Sequence, residues 1–463
     1  MFRPHPLYCF YDSKKWILLF LLPVLRVIFS PRDVVSILLA SLRDVAFAAL
    51  LIGYSVAKWK RARYSLHRGL TLRQGLVYRR TLRISADDAA SVEMERTPLM
   101  WLAGGRRIRV NTAGLRRRAD ATLYLPASAT RGVLMEGAAP KRCRRYAARA
   151  FPVAVMSASS SNAALGLLTL APAVRQAGQI LGREMTGEVY NLMDRLLSAG
   201  LPPLFNTVTN ILVLGWAYAF IHTFTRTAGF YARRDGEQLH VTSGLLTRRD
   251  VYIDCSRVTA LEVRQTLFMR LFGLHTVTIT AAGYGREKGA RPLIIPAARP
   301  KELCAALDTL LPEYPICAGS LRPVKRALWR YVWPPLLLAA GSVVPLTFGG
   351  VWGTLAAVLF LGGAWWLSIR LAGYFRAGFG VGRGAVTMRY PRGLALYEIH
   401  VPCEVADCLM ITRDPWEQRN GTCTVELRCF GEKRRRHRVR ALPYEPAVML
   451  AQRLMEMDAP LRK

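Results

Sequence analysis

Long apolar runs along this chain alternate with shorter stretches in which apolar and polar residues take turns. The apolar runs come in three pairs, and crossing a bilayer as a helix requires about 20 predominantly apolar residues. The pattern therefore predicts six membrane-spanning helices that form three hairpins, although the first run is short. The paired runs are 16–29 with 34–57, 151–171 with 204–224, and 331–348 with 351–371.

Each apolar pair is followed by a segment with a different period. Apolar residues there alternate with polar ones over short stretches bounded by glycine, which is typical of β-strands. After the second pair a helix is also predicted at 300–310, where Leu303, Ala306, Leu307 and Leu310 fall on one face. The sequence thus predicts a small β-module with a helix at its end.

The β-module is repeated along the chain. Between residues 75 and 114, 12 positions are identical to those found 169 residues later, which indicates a duplication. A more divergent third copy follows the second at an offset of 148 residues. In the first copy the terminal helix is doubtful, because Gly132 and Gly137 disfavour a helix over 127–139.

The basic residues are unevenly placed. The chain carries a formal net charge of +34, and residues 58–149 hold 22 Lys/Arg against 6 Asp/Glu, whereas residues 150–225 hold 3 of each. The cytoplasmic loops of membrane proteins carry the excess of Lys and Arg. We therefore expect a multi-pass protein of the cytoplasmic membrane, with both termini and the three β-modules in the cytoplasm and the loop at 172–200 outside.

The second β-module resembles a known family. The residues that carry the resemblance include Gly244-Leu-Leu-Thr-Arg-Arg249, Gln265-Thr-Leu-Phe, Gly273 and Thr280-Ala-Ala-Gly283. They are similar to the bacterial pleckstrin-homology (PH) domain of YdbS/YdbT-type membrane proteins. The resemblance implies that each module is a partly open β-barrel or sandwich of about seven strands closed by one helix, and it implies no enzymatic activity.

The predicted fold class is accordingly an α+β membrane protein. It consists of three repeats, each a transmembrane helical hairpin followed by a PH-like β-barrel or sandwich module with a C-terminal helix. The expected bounds are hairpin 1–60 with module 61–150, hairpin 151–225 (including an outer amphipathic loop) with module 226–315, and hairpin 325–372 with the divergent module 373–463.

Two arginine pairs are the most visible basic repeats. Arg79-Arg80 and Arg248-Arg249 occupy equivalent positions, whereas the third module has Leu396-Tyr397 there. One hypothesis is contact with an anionic lipid head group, since each Lys or Arg near a membrane surface contributes about 1 kcal/mol of attraction. The alternative is a solvated basic strand, in which adjacent side chains point to opposite faces.

Three charged residues fall within the apolar runs. Arg26 lies in the first run, and Arg43 and Asp44 lie near the middle of the second. Ionisable groups inside a membrane are functional candidates by default, and an ion pair between Arg26 and Asp44 would reduce the cost of both charges. The alternative is that Arg26 extends toward the interface while Arg43 and Asp44 lie between helices.

The sequence contains no pattern typical of catalysis or of a metal centre. The nine cysteines form no CxxC pair, and the four between 403 and 429 have a spacing that strands explain as well as a metal. GxSxG and HExxH motifs are absent, and the glycines at 378–384 lack the spacing of a phosphate loop. We expect no catalytic residue, no cofactor, no metal and no nucleic-acid partner.

These features favour a non-catalytic membrane scaffold. Its modules would bind anionic lipid head groups, a membrane protein partner or each other, and the sequence leaves the oligomeric state open. The alternative is a component of a transport, export or antimicrobial-resistance system that uses the six helices and their charges.

Overall fold

The computed structural model describes most of the chain, and the statements below concern the described residues. They are 2–11, 34–66, 69–112, 121–126, 144–160, 203–281, 293–314, 321–347, 350–382, 384–429 and 435–458.

In the part of the chain that the structure describes, each β-module has six strands in two antiparallel groups of three. In the second module a further strand, β7 (Arg144–Ala147), pairs with the first of the six. The first module has β1 (Arg63–Ser65), β2 (Leu70–Gln74), β3 (Arg80–Ile84), β4 (Ala89–Arg96), β5 (Gly105–Thr112) and β6 (Ala121–Pro126). The second has β8 (Tyr231–Asp235), β9 (Gln238–Ser243), β10 (Arg248–Asp254), β11 (Val258–Thr266), β12 (His275–Ala281) and β13 (Leu293–Ala298). The third has β14 (Gly378–Gly382), β15 (Ala385–Arg392), β16 (Ala395–Pro402), β17 (Ala406–Thr412), β18 (Thr422–Cys429) and β19 (Arg435–Pro443).

The helices fall into three kinds: those before a module, a short one inside each module, and those at a module's end. The first kind comprises α1 (Val34–Arg61), α3 (Ala150–Ser160), α4 (Pro203–Thr227), α7 (Leu328–Gly341), α8 (Val343–Leu346) and α9 (Gly350–Arg376). The short helices are α2 (Pro98–Leu102), α5 (Leu267–Leu271) and α10 (Pro415–Arg419), and the terminal ones are α6 (Pro300–Leu310) and α11 (Tyr444–Asp458).

The terminal helix of the second module buries the face that its sequence predicts. Leu303, Ala306, Leu307 and Leu310 are all buried in the core of that module. The third module likewise ends in a helix, α11. The doubtful helix of the first module, at 127–139, lies outside the described residues.

The predicted transmembrane hairpins, and with them the membrane part of the fold class, are wrong. No helix in the described ranges is both long enough and apolar enough to cross a membrane. The prediction counted apolar residues along the sequence, but the run at 331–348 is divided between α7 with 14 residues and α8 with 4. Within the described residues the run that begins at 151 forms the 11-residue α3. What the structure supports is several antiparallel sheets, as PH-like β-modules require.

The modules are joined strand to strand. At the first junction β4 pairs antiparallel with β10, which gives a seven-stranded sheet in the order β6-β5-β4-β10-β9-β8-β7. At the second junction β11 pairs with β16, which gives a six-stranded sheet in the order β13-β12-β11-β16-β15-β14. The outer groups, β1-β2-β3 and β17-β18-β19, remain three-stranded. Neighbouring modules therefore share a sheet.

Both junctions have the same register. At the first junction Arg96 is paired with Arg248. An offset of 169 residues relates Arg96 to Gln265, and an offset of 148 residues relates Arg248 to Leu396. Gln265 and Leu396 are paired with each other at the second junction. A shift by one residue would turn every side chain of a strand to the other face of the sheet. The repeat therefore preserves which face each junction residue occupies.

Each module has its own hydrophobic core, and the junction strands contribute across the boundary. Tyr252 of β10 packs against the core of the first module, next to Val92 and Met94 of β4. Ala260 of β11 belongs to the core of the third module. The junction strands β10 and β11 thus contact the hydrophobic core of a neighbouring module as well as belonging to the second module.

Candidate functional site

The structure separates the four arginines of the two pairs. Arg79 and Arg80 are exposed at the start of β3. The side chain of Arg248 is 65% exposed, whereas that of Arg249 is only 25% exposed and its Nη2 lies 3.4 Å from Oε1 of Glu95. Arg249 therefore links the second module to the first. A lipid contact by Arg79, Arg80 or Arg248 stays a prediction.

Glu95 is the centre of an ionic cluster at the first junction. Its carboxylate accepts a hydrogen bond from Arg107 and lies 3.5 Å from Nη2 of Arg109, besides its contact with Arg249. Burial raises the pKa of Glu95, but the three arginines outweigh burial and hold that pKa below its ordinary value. The cluster keeps Glu95 charged and connects β4 of the first module with β10 of the second.

The second junction carries different side chains at the equivalent positions. The guanidinium of Arg264, the counterpart of Glu95, lies 5.9 Å from the ring centroid of Tyr397, the counterpart of Arg249. This distance is within the range of a cation–π interaction. Nearby, Nη1 of Arg376 donates a hydrogen bond of 2.5 Å to Oε1 of Gln265. An ion pair at one junction is therefore replaced by an aromatic contact at the other.

A small pocket opens at the second junction, but its charges are engaged within the chain. Arg389 donates a hydrogen bond of 2.7 Å to Glu398, and Nε2 of His400 lies 3.2 Å from the same carboxylate oxygen. Burial raises the pKa of Glu398, yet these two neighbours outweigh it and lower the pKa to about 2. This network lies within the third module, on β15 and β16, and engages the carboxylate of Glu398. The lining residues are Val263, Gln265, His275, Gly373, Arg376, Arg389, Tyr390, Leu396, Tyr397 and Glu398.

An exposed apolar residue stands at the same position of one β-hairpin in every module. Val77 between β2 and β3 is 92% exposed, Leu246 between β9 and β10 is 64% exposed, and Leu394 between β15 and β16 is 59% exposed. The 169 and 148 residue offsets relate the three positions to one another. We call them the hairpin-tip positions.

Glycine fixes the shape of the first two hairpin tips. Gly75 has φ of 120° and Gly244 has φ of 102°, in the region that favours glycine. A Cβ atom at these positions would lie 2.0 Å from the carbonyl oxygen of Tyr78 and 2.1 Å from that of Thr247. The tight turn holds the apolar residues that follow it out in solvent, where Tyr78 and Leu245 are also exposed.

A second exposed apolar position recurs on the short helix of every module. Leu99 on α2 is 56% exposed, Phe268 on α5 is 38% exposed and Trp416 on α10 is 66% exposed, again at equivalent positions. We call these the short-helix positions. Leucine also occurs at one further equivalent position of the first two modules. Leu102 is 82% exposed and Leu271 is 75% exposed.

The short helices are held in place by a cap and an inward-facing residue. Thr97 and Thr266 accept hydrogen bonds of 3.3 Å from the backbone N–H groups of Met100 and Met269, which are fully buried. In the third module Asp414 takes the cap position with Glu417 as the buried residue. The same turn that buries position 100, 269 or 417 presents the preceding residue to solvent.

In the second module both exposed positions lie where the preceding helices meet the β-module. The backbone N–H of Leu245 donates a 2.8 Å hydrogen bond to the carbonyl of Thr225 near the end of α4. On the other side, the ring of Phe272, just after α5, lies 5.9 Å from that of Phe151 at the start of α3. The hairpin tip and the short helix therefore flank the α3–α4 pair.

The first module places its hairpin tip next to a helix, and the third module places both features there. In the first, Arg61 at the end of α1 donates a 2.9 Å hydrogen bond to the carbonyl of Leu76 beside the hairpin tip. In the third, Arg330 of α7 bonds to Glu417 at 2.8 Å, and Gly373 of α9 packs closely on Pro391 before the tip. The hairpin-tip positions of all three modules and the short-helix positions of the second and third thus lie beside helices, and we call the six positions together the helix-proximal face.

Sequence reasoning missed this face. The charged residues do not indicate it, because the arginine pair is replaced by Leu396-Tyr397 in the third module. The signal was nevertheless in the repeat: Val77, Leu246 and Leu394 are apolar at a turn, where polar and small residues are the usual choice.

The remaining candidates are not brought together into a site. Arg26 lies outside the described residues, and Arg43 and Asp44 lie within α1, where only the backbone is described. The alternative of transport thus stays a prediction. Among the described cysteines none is in a disulfide, and no cluster of three metal-binding side chains occurs in the ranges searched.

Comparison with known proteins identifies the family. Residues 17–134 and 184–311, more than half of the 463 in the chain, match the family described as Bacterial PH domain, and the chain belongs to it. Over 152 residues the chain is 28% identical to the UPF0699 transmembrane protein YdbT of Bacillus subtilis (strain 168). The matched part is 32% of this chain and 31% of that relative. No solved structure matches the chain.

Proposed function

We propose that this bacterial PH domain protein is a non-catalytic scaffold that docks a fixed row of three PH-like modules on an anionic phospholipid membrane through the helix-proximal face. The observation that carries the proposal is the recurrence of exposed apolar residues at the hairpin-tip and short-helix positions of all three modules. Folded proteins bury most large apolar side chains, so a repeated exposed set marks an interaction surface.

The chemistry of the face favours a membrane as the occupant. Arg79 follows Val77 and Tyr78, Arg248 follows Leu245 and Leu246, and both arginines are exposed. Apolar residues beside arginine suit the boundary between acyl chains and anionic head groups. The net charge of +34 adds a long-range attraction to an anionic surface. The relative from Bacillus subtilis is itself named a transmembrane protein, which agrees with a role at a membrane.

The modular arrangement supports a scaffold. Three weak contacts on one chain act together, because after the first has formed the next ones bind at a high effective concentration. The shared sheets at the two junctions limit how far the modules can move apart. An exposed leucine gains at most about 1.5–3 kcal/mol from full burial, so one tip alone would bind weakly.

Vesicle co-sedimentation of the full-length chain tests the proposal. We expect binding to vesicles of phosphatidylcholine with phosphatidylglycerol, and weaker binding to phosphatidylcholine alone. The triple variant Val77→Ser, Leu246→Ser, Leu394→Ser should bind at least about tenfold more weakly, since each loss removes up to 1.5–3 kcal/mol. Replacing Arg79 and Arg248 with Gln should weaken binding only to the anionic vesicles, by about 1 kcal/mol each.

The matched control is Met449→Ser on α11, since Met449 is also 58% exposed but lies on the terminal helix of the third module. It should bind vesicles like the unchanged chain. Equal loss in the control and in the triple variant, or binding that ignores the hairpin tips altogether, would contradict the proposal and favour a protein as the occupant of the helix-proximal face.

A further inference from the structure

The two outer sheets end in strands whose counterparts elsewhere are paired. β3 is the counterpart of β10 and β16, and β17 is the counterpart of β4 and β11. All four counterparts pair across a junction. Among the described residues β3 pairs only with β2, and β17 only with β18. The chain therefore carries one half of a junction at each end.

Exposure along β17 fits an unpaired edge. Cys408 is exposed, whereas its counterparts Ser91 and Ala260 are buried to 2% and 1% relative exposure. Met410 is 36% exposed, whereas its counterpart Glu262 is 6% exposed. All of these residues lie on equivalent strands. The counterparts on β4 and β11 are covered by a paired strand, which agrees with the greater exposure of Cys408 and Met410 on β17.

We propose that β17 of one copy pairs with β3 of a second copy, in the register of the two internal junctions. That register places Thr412 opposite Arg80 of the other copy, as Glu95 is opposite Arg249 and Arg264 opposite Tyr397 within the chain. It also places Met410 opposite Leu82, which pairs two apolar side chains on one face of the sheet.

The charges on the two edges favour this pairing over self-pairing. β3 contains Arg80 and Arg83, so two β3 strands would bring arginines together. β17 has the sequence Ala-Asp-Cys-Leu-Met-Ile-Thr, without lysine, arginine or proline. Edge strands of isolated proteins are commonly protected by such residues. Charge repulsion thus disfavours pairing of β3 with a second β3, whereas no such repulsion opposes pairing of β3 with β17.

Pairing of this kind is head-to-tail and uses two different surfaces. It continues from copy to copy until a ring closes or a filament forms. The modules would then extend the internal repeat across chains, with every junction in one register. The membrane proposal does not depend on this assembly, because the helix-proximal face and the sheet edges involve different positions apart from Arg80.

Cysteine crosslinking tests the register directly. One tagged copy carries Thr412→Cys and a differently tagged copy carries Arg80→Cys, both with the exposed Cys304 and Cys408 replaced by Ser. Directly opposite residues of an antiparallel pair have Cα atoms about 4.5–5.5 Å apart, which a disulfide can bridge. We expect a mixed-tag disulfide dimer after mild oxidation. The control with Arg83→Cys in place of Arg80→Cys should give little crosslink, because position 83 would lie opposite position 409.

Charge exchange tests the same contact without crosslinking. Light scattering of the full-length chain, in one fixed detergent that covers the apolar tips, should give a mass that rises with concentration. Thr412→Arg should raise the Kd of assembly roughly fivefold by opposing Arg80, and adding Arg80→Glu should restore it. Arg326→Glu, an exposed site away from both edges, is the charge control and should leave the Kd unchanged.

Three results would overturn the proposal. They are a constant monomer mass together with absence of the Thr412–Arg80 crosslink, a crosslink that forms equally well from position 83, and capture of β17 by a different protein in place of a second copy. Assembly of the unchanged chain without any binding to vesicles would count against the membrane proposal and leave this one standing.

Discussion

The first and second junctions have the same backbone register but different side chains. At the first, Glu95 gathers three arginines, one of them from the neighbouring module. At the second, the counterpart of Glu95 is Arg264, which lies over Tyr397. The repeat tolerates glutamate at this position in one module and arginine in the next, because the residue on the opposite strand changes from Arg249 to Tyr397. The junction is therefore specified by backbone pairing, and its side chains are free to diverge in pairs.

This difference explains why the arginine pair does not recur in the third module. Arg249 and Tyr397 are partners of residues on the preceding module, so each follows its partner rather than a ligand. Among the described residues, none of the six exposed apolar positions takes part in the strand pairing of either junction. Their recurrence in all three modules is for that reason the stronger sign of an external contact.

The largest expected effect is at the ionic junction. Glu95→Ala leaves Arg107, Arg109 and Arg249 without their shared carboxylate, which is only 11% exposed. Removing one partner of such a buried ion pair costs about 3–5 kcal/mol. Hydrogen exchange should therefore accelerate in β4 and β10 of the intact chain, while β11 and β16 at the second junction keep their protection and act as the internal reference.

Glu93→Ala is the matched control for this prediction. Glu93 lies on the same strand, its side chain is 21% exposed, and it lies 3.6 Å from Arg109. We expect a smaller acceleration, because this contact is longer and less buried. Equal effects of the two changes, or loss of protection at both junctions, would show that the carboxylate of Glu95 does not hold the first junction.

Acid should weaken the third module through Glu398, whose ion-pair partners Arg389 and His400 lie on β15 and β16. Its pKa lies at about 2 against an ordinary value of 4.5, so its ion pair stabilises the fold above pH 4.5 and the stabilisation is lost as pH falls toward 2. The contribution at neutral pH is on the order of 3 kcal/mol. Glu398→Gln should lower the thermal midpoint of unfolding at neutral pH and flatten its decline between those two pH values.

The first junction provides the comparison for this pH effect. The pKa of Glu95 is also lowered, so some decline in acid must survive in Glu398→Gln. A variant whose thermal midpoint falls with pH as steeply as that of the unchanged chain would assign the acid sensitivity to other groups.

A smaller effect is expected from the aromatic contact. Arg264→Ala should destabilise the second junction by about 0.5–1 kcal/mol, the usual size of an exposed cation–π interaction. Tyr397→Phe retains the ring and should change little, whereas Tyr397→Leu should match Arg264→Ala. Hydrogen exchange in β11 and β16 is the measurement, and a loss as large as that from Glu95→Ala would contradict the ranking of the two junctions.

Part of this architecture could be predicted from the sequence because it is local. The apolar face of α6 follows from the spacing within one segment, and the resemblance to PH domains rests on residues within one module; both are confirmed. Strand pairing between modules is not local: β4 and β10 are separated by about 150 residues, and alternation along a strand does not reveal its neighbour. The role of Arg249 depends on that neighbour, so the pair Arg248-Arg249 looked uniform in the sequence.

The membrane spans failed for a related reason. Counting apolar residues located the helices α1, α4 and α9, but it did not show that the run at 331–348 is divided between two helices. Ser342 separates α7 from α8 within one apolar run, so the run does not form a single helix. The hairpin tips could not be predicted for a different reason. An isolated apolar residue such as Leu394 forms no periodic pattern in the sequence.

The smallest expected effect distinguishes the two members of one arginine pair. Arg248→Ala should change stability by less than about 0.5 kcal/mol, because its side chain is 65% exposed. Arg249→Ala should cost more, since it removes the contact with Glu95 across the first junction. In vesicle binding the order should reverse, with Arg248→Ala the weaker binder. Hydrogen exchange and vesicle co-sedimentation of these two variants are the measurements. If both variants lost vesicle binding equally, Arg248 and Arg249 would not have the separate roles that we assign to them.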